Sequence, residues 1–150
     1  MIQIKSYLRE PGGEFTEVDA VDSPPLNHRY VEGAVELTID GVPIIDTVMW
    51  DYVDQLWAYI GDMVLSLREQ GQASTYFPDQ PIKLMFRKQG RSRVLVTLEI
   101  NGATRTASAD RDELVSTLRE HGSAFFGKMI ELLPENRDGY TDALERLNQG

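Results

Sequence analysis

The chain has 150 residues, 41% of them apolar and 26% charged, with a formal net charge of −9. A chain of this length can bury roughly 70% of its unfolded surface, so one domain spanning residues 1–150 is expected to hold together without a metal or covalent staple. Cysteine is absent, which excludes disulfides, thiol nucleophiles and thiolate metal sites together.

Residues 2–8, IQIKSYL, alternate with period two. Ile2, Ile4 and Leu8 face one way and Gln3 and Lys5 the other, the pattern of a half-buried strand. PGG at 11–13 reads as a turn, and EFTEV at 14–18 as a short second strand. The double proline of DSPP, residues 22–25, requires a loop. In YVEGAVELTI, Val31, Gly33, Val35, Leu37 and Ile39 share one face, while Glu32, Glu36 and Thr38 share the other. Asp40-Gly41 then predicts a tight hairpin into VPII, pairing Ile39 with Val42 and Leu37 with Ile44. Pro43 marks that second arm as an edge strand.

Residues 47–70 predict a long helix. Met49, Val53, Leu56, Ile60, Met63 and Leu67 make one apolar stripe, with Asp46 as N-cap and Gly71 just past the C-terminus. Trp50 and Trp57, seven residues apart, lie on one edge of that helix, and Tyr52 and Tyr59 lie on the opposite edge. The widened arc assigns the tryptophans to the core. QASTYFPDQP, with its two prolines, is expected to be a loop.

A three-stranded meander follows: IKLMFRK, RVLVTLEI and ATRTASA. Asn101-Gly102 closes a two-residue hairpin that pairs Ile100 with Ala103, Leu98 with Arg105 and Val96 with Ala107. Near Gln89-Gly90 a two-residue loop would set Phe86 on the wrong side from Val96, so a loop of three or five residues is predicted. Asp110 and Glu113 have capping-box spacing ahead of a helix to about Leu133, with Leu114, Leu118, Phe125, Met129 and Leu132 as its stripe. Gly122 could break this helix, yet the apolar phase runs straight through it and favours one element. Pro134 stops it, and a short helix begins at about Thr141. The fold class is α+β, a mainly antiparallel sheet packed by two long helices and one short one.

Charge is unevenly placed. Residues 1–75 hold thirteen Asp or Glu against four Lys or Arg, whereas residues 76–150 hold eleven of each. Such a field repels nucleic acid and anionic membrane and speeds encounter with a basic protein. Lys83, Arg87, Lys88, Arg91 and Arg93 form a basic segment, but the net charge argues against nucleic-acid contact and no aromatic platform flanks it. Neither a secretory signal nor a run of about 20 apolar residues is read, so a cytoplasmic protein off the membrane is expected.

No motif names a reaction. His28 and His121 have no metal-ligand spacing, and no phosphate loop or nucleophile elbow occurs. No cofactor, metal site or catalytic residue is expected. The feature left over is acidic. Asp51, Asp54, Asp62 and Glu69 fall on the wet arc of the predicted helix, where only Arg68 is positive, and Glu32 and Glu36 lie on the outer strand face. Exposed helix acids are ordinarily balanced at i+4. The expectation is a non-enzymatic binding protein that offers these six acids to a basic partner. Its most concrete form is a bacterial immunity protein that neutralises a basic toxin, because nuclease toxins need basic clefts to hold phosphates. The alternatives are a small acidic homodimeric secretion chaperone or adaptor, and a small enzyme or ligand-binding module using His28 or His121. Monomer and homodimer both stay open.

Overall fold

In a computed structural model, residues 1–149 are described. They form nine strands and three α-helices with short 3-10 turns between them. Strands β1 (Ile2–Arg9), β2 (Phe15–Glu17), β3 (Glu32–Ile39), β4 (Val42–Ile45) and β5 (Asp51–Tyr52) make a first antiparallel sheet. Its order is β2-β1-β3-β4, and β5 pairs with the start of β3. Strands β6 (Gln72–Tyr76), β7 (Lys83–Gln89), β8 (Arg93–Ile100) and β9 (Ala103–Asp110) make a second, ordered as in the chain. Helices α1 (Val53–Gln70) and α2 (Arg111–Leu132) pack on the inner sides of both sheets, and α3 (Arg137–Leu147) packs on these two helices. This is the expected α+β class, with the antiparallel strands divided between two sheets.

Alternation sets the strand faces. Ile2, Ile4 and Leu8 of β1 and Val35, Leu37 and Ile39 of β3 are all buried. Asp40 (φ 48°) and Gly41 (φ 81°) form the expected tight turn, both in the left-handed region that a type I′ turn requires. Ile39 pairs with Val42 as expected, but Leu37 pairs with Ile45 rather than Ile44, across a bulge. The reason is in VPII itself: Ile44 and Ile45 are both buried, and strict alternation would turn one of them outward. An extra residue in the strand resolves this.

In the second sheet Asn101 and Gly102 close the predicted hairpin with Ile100 opposite Ala103, Leu98 opposite Arg105 and Val96 opposite Ala107. Gln89 pairs with Arg93, leaving a three-residue loop, which keeps Phe86 opposite Val96 and Leu84 opposite Leu98. The meander gains a fourth member where a loop was expected: QASTY forms the edge strand β6. Its side chains are Gln, Ala, Ser, Thr and an exposed Tyr, so the sequence there carries no apolar alternation.

The helix predicted at residues 47–70 starts later. The Asp46 side chain accepts from Val48 N at 3.0 Å, but what it caps is a 3-10 turn over Thr47–Met49. Trp50 is extended, Asp51–Tyr52 pair with β3, and α1 begins at Val53. Gly71 ends it as expected, with φ 77° and its N–H on Leu67 O.

Helix α2 runs unbroken through Gly122. That residue is buried, and a Cβ there would lie 2.5 Å from Leu147 Cδ2 and 3.0 Å from Trp57 Cζ3. Glycine is thus a packing requirement where α2, α3 and α1 converge. Asp110 accepts from Glu113 N at 2.9 Å, the first half of the capping box. The Glu113 carboxylate turns instead to Ile2 N at 3.2 Å, so it ties the helix to β1. Helix α3 starts at Arg137, four residues before the expected Thr141.

Candidate protein-binding face

The six predicted acids do not share a surface. Asp51 is only 3% exposed. It stands opposite Gly33 in the ladder and so points to the inner side. Its carboxylate accepts from Tyr52 N at 2.7 Å, from Asp79 N at 3.0 Å and from Gln80 N at 2.9 Å. Gln80 Nε2 returns a bond to Trp50 O at 2.6 Å. Asp51 therefore clamps the PDQP loop to β5 and cannot meet a partner. The helical reading failed here because backbone amides 28 and 29 residues away claim this carboxylate.

Asp54 accepts from Tyr140 Oη of α3 at 2.8 Å, and burial raises its pKa above the ordinary carboxylate range despite that bond. The same burial, with Asp54 alongside, pushes the Tyr140 phenol up. Asp62 is paired with Arg146 at 3.0 Å. The missing i+4 cations are thus replaced by α3, which lies along the acidic side of α1. Glu69 lies beyond this, in a groove with Arg68, Lys88, Arg111 and Arg119.

Glu32 and Glu36 do stand on an open face, and it is aromatic. Residues directly opposite in antiparallel pairs project from the same side. Lys5 faces Glu36, Tyr7 faces Glu17, Arg9 faces Phe15 and Glu32 faces Tyr52. The outer side of the first sheet therefore carries Lys5, Tyr7, Arg9, Phe15, Glu17, Glu32, Glu36 and Tyr52. Two more aromatics join from the flanking loops. Trp50 lies under the Arg9 guanidinium, 4.2 Å from its ring centroid, and Arg9 also holds Glu32 at 3.1 Å. Tyr30, 54% exposed, packs on Tyr52 at 5.4 Å between ring centroids. Tyr7 and Phe15 meet edge to face at 6.4 Å.

Carboxylates flank both sheet tyrosines. The Tyr7 phenol is raised by partial burial first and then by Glu36, against an opposing effect of Lys5. The Tyr52 phenol is raised by burial and then by Asp79 and Glu32. The local field is negative although Lys5 and Arg9 sit within it. Beside the face a cavity of about 450 Å³ opens between the end of β1 and the proline loop, lined by Arg9, Val21, Pro24, Leu26, Tyr30 and Glu32.

Trp57 lies in the core as expected, whereas Trp50 and Tyr52 leave the predicted helix. Trp57 is fully buried, stacked on Phe125 at 6.1 Å, with Nε1 donating to Ser6 Oγ at 2.9 Å. Trp50 is not its neighbour on a helix; it sits half-buried on the outer face. Tyr52 is likewise on a strand. Tyr7, Arg9 and Phe15 were not singled out from the sequence, although Tyr7 and Arg9 share the parity of Gln3 and Lys5 in β1. That parity was the available signal.

His28 is exposed, and its carbonyl accepts from Asn136 Nδ2 at 2.7 Å. It lines a cleft of about 460 Å³ with Asp54, Asn136 and Tyr140. His121 lines a different and smaller cavity with Lys5, Glu17 and Asp19. No group of three or more metal-ligating side chains occurs among the described residues. Among the described residues no helix is long and apolar enough to cross a membrane. The geometry defines an α+β fold in which the outer face of the first sheet is open and rich in aromatic side chains. Comparison of the chain with protein-family models, curated proteins and solved structures gave no match.

Proposed function

We propose that the chain is a non-enzymatic binding protein whose outer β1–β3–β5 face docks a basic partner protein. One observation carries this reading: five aromatic side chains, Tyr7, Phe15, Tyr30, Trp50 and Tyr52, are set among Glu17, Glu32 and Glu36 on an uncovered sheet face. Tyrosine and tryptophan are the side chains that anchor protein interfaces, because they bury large area with few rotors and keep a polar tip. Flanking carboxylates steer a cationic partner and set its orientation. The surrounding chain adds to the field, since residues 1–40 hold eight acids against three Lys or Arg. Neutralisation of a basic toxin in the cytoplasm, the task of a bacterial immunity protein, is the most concrete form of this reading.

The test uses the full chain immobilised as bait, at about 0.05 M and about 0.5 M salt, where the screening length falls several-fold. A basic protein held at low salt, released at high salt, and lost by both Trp50→Ala/Tyr52→Ala and Glu32→Lys/Glu36→Lys is the expected result. Capture that neither double variant weakens would remove this face as the site.

A second reading has one observation behind it. His28, Asp54 and Tyr140 line the same cleft, as a small ligand-binding module using His28 would need. Loss of partner capture by the face variants, with no effect of His28→Ala, separates the two.

A further inference from the structure

The basic segment from Lys83 to Arg93 is divided by the pleat of the second sheet. Lys83 faces Glu99 and Arg87 faces Leu95 on the outer side. Arg91 sits in the turn, and Arg93 is spent on Ser108, with Nη2 on its carbonyl at 2.9 Å. Lys88 differs. It stands opposite Val94, a buried residue, so it projects to the helix side at the end of the sheet. Its position is fixed from behind, where Lys88 N donates to Gly71 O at 2.8 Å.

There Lys88 meets Arg68 from the last turn of α1 and Arg111 and Arg119 from the first turns of α2. The four line a cavity of about 930 Å³ whose wall also holds the half-buried Val115, with Val64 and Leu67 behind it at 1% and 4% exposure. Against four cations stand two acids, Glu69 and Asp112. This inverts the sign of a chain carrying −9. Arg111 contacts Asp112 at 3.6 Å, and Arg119 donates to the carbonyls of Leu147 and Gln149. Among the described residues, Arg68 and Lys88 have no carboxylate within 4 Å. The C-terminus of α1 supplies only about half a negative charge, too little to account for two cations brought together from separate elements.

We propose that this groove binds an amphipathic organic anion. Arg68 and Lys88 hold its carboxylate or phosphate head, and Val115, with the methylene stems of the lining cations, meets a short apolar body. The volume is within the roughly 300–1,000 Å³ of small-ligand pockets. Charge-assisted bonds to the head fix orientation, and the apolar wall selects for a tail. None of these residues belongs to the aromatic face, so the inference stands apart from the proposed function.

The experiment titrates the full chain with octyl phosphate, kept below its micellar concentration, following amide shifts and heat. Saturable binding is expected, with shifts centred on residues 64–71, 88 and 111–119. Arg68→Gln/Lys88→Gln should weaken it at least ten-fold; both positions are exposed, and an unchanged Tm verifies the fold. Octanoate binding at the same residues supports the site with a carboxylate head. Absence of saturable binding by either probe overturns the proposal, as does affinity unaltered by the double variant. Inorganic phosphate binding as tightly as octyl phosphate would also overturn it, since the apolar wall would then contribute nothing.

Discussion

Tyr140 Oη donates to Asp54 Oδ2 at 2.8 Å across the contact between α3 and α1. Asn136 Nδ2 completes the phenol's bonding at 3.2 Å and reaches on to the carbonyl of His28. A carboxylate, a phenol and an amide thus join two helices to the proline loop. The half-buried Asp54 carboxylate and the Tyr140 phenol both find partners here, which is the condition for tolerating such groups where water is scarce.

The Asp54 bond makes a pH prediction. Burial is the largest influence on this carboxylate and raises its pKa; the bond from Tyr140 opposes it. An acid whose folded pKa exceeds its unfolded value binds more protons when folded. Its contribution to stability therefore falls as pH rises through the window from about 3.9 to the raised value. Asp54→Asn keeps an acceptor for Tyr140 and removes the charge. It should be at least as stable as the parent at pH 7 in urea denaturation, with the advantage shrinking below about pH 4. Tyr140→Phe leaves the carboxylate without its donor, should cost about 1–3 kcal/mol, and should move the Asp54 titration further up in carbon-detected NMR. A downward move would contradict the assigned geometry.

Asp51 and Asp62, eleven positions apart on a sequence read as one acidic face, should respond in opposite ways. Asp51→Ala removes the acceptor for three backbone amides and should cost roughly 2–4 kcal/mol. Hydrogen exchange at Asp79 and Gln80 should accelerate together with it. Asp62→Ala breaks an exposed pair with Arg146 and should cost at most about 1 kcal/mol. Equal losses in the two variants would mean that Asp51 does not hold the loop.

What could be read in advance follows the range of the interactions. Turn chemistry and side-chain parity are local, so the Asp40-Gly41 and Asn101-Gly102 hairpins, the odd loop after Gln89 and the faces of β1 and β3 were legible. The first turn of α1 was not. Asp46 carries a good capping signal, but the same geometry caps a 3-10 turn, and only the remote amides of Asp79 and Gln80 decide that Asp51 leaves the helix. The balancing of Asp54 and Asp62 was equally hidden, since Tyr140 and Arg146 lie 86 and 84 residues further on. Glu32 and Glu36 were placed correctly on an outer face because they depend on alternation alone. Of the aromatics beside them, Tyr7 follows the parity of β1, Tyr52 was hidden by the helical reading of residues 47–70, and Tyr30 and Trp50 reach that face from loops.

The glycines give the last prediction, because three of them face different surroundings. A Cβ at Gly33 would fall 2.1 Å from Tyr7 O and 2.8 Å from Val53 Cγ1. The first is backbone of the paired strand, which cannot turn aside, so Gly33→Ala must separate β1 from β3 beneath the aromatic face. A loss of about 3 kcal/mol or more is expected, with weakened partner capture as a consequence. At Gly122 the nearest atoms are side-chain tips of Leu147 and Trp57. Overpacking of about 1–3 kcal/mol is there partly offset by the roughly 1 kcal/mol that alanine gains over glycine within a helix. Gly127, also inside α2, has nothing within 4 Å of its added Cβ, so only the helix term operates and Gly127→Ala should stabilise by about 0.5–1 kcal/mol. Chemical denaturation of the three variants should rank them Gly127→Ala above the parent, then Gly122→Ala, then Gly33→Ala. Any other order would show that the β1–β3 approach or the α1–α2–α3 junction is looser than these distances require.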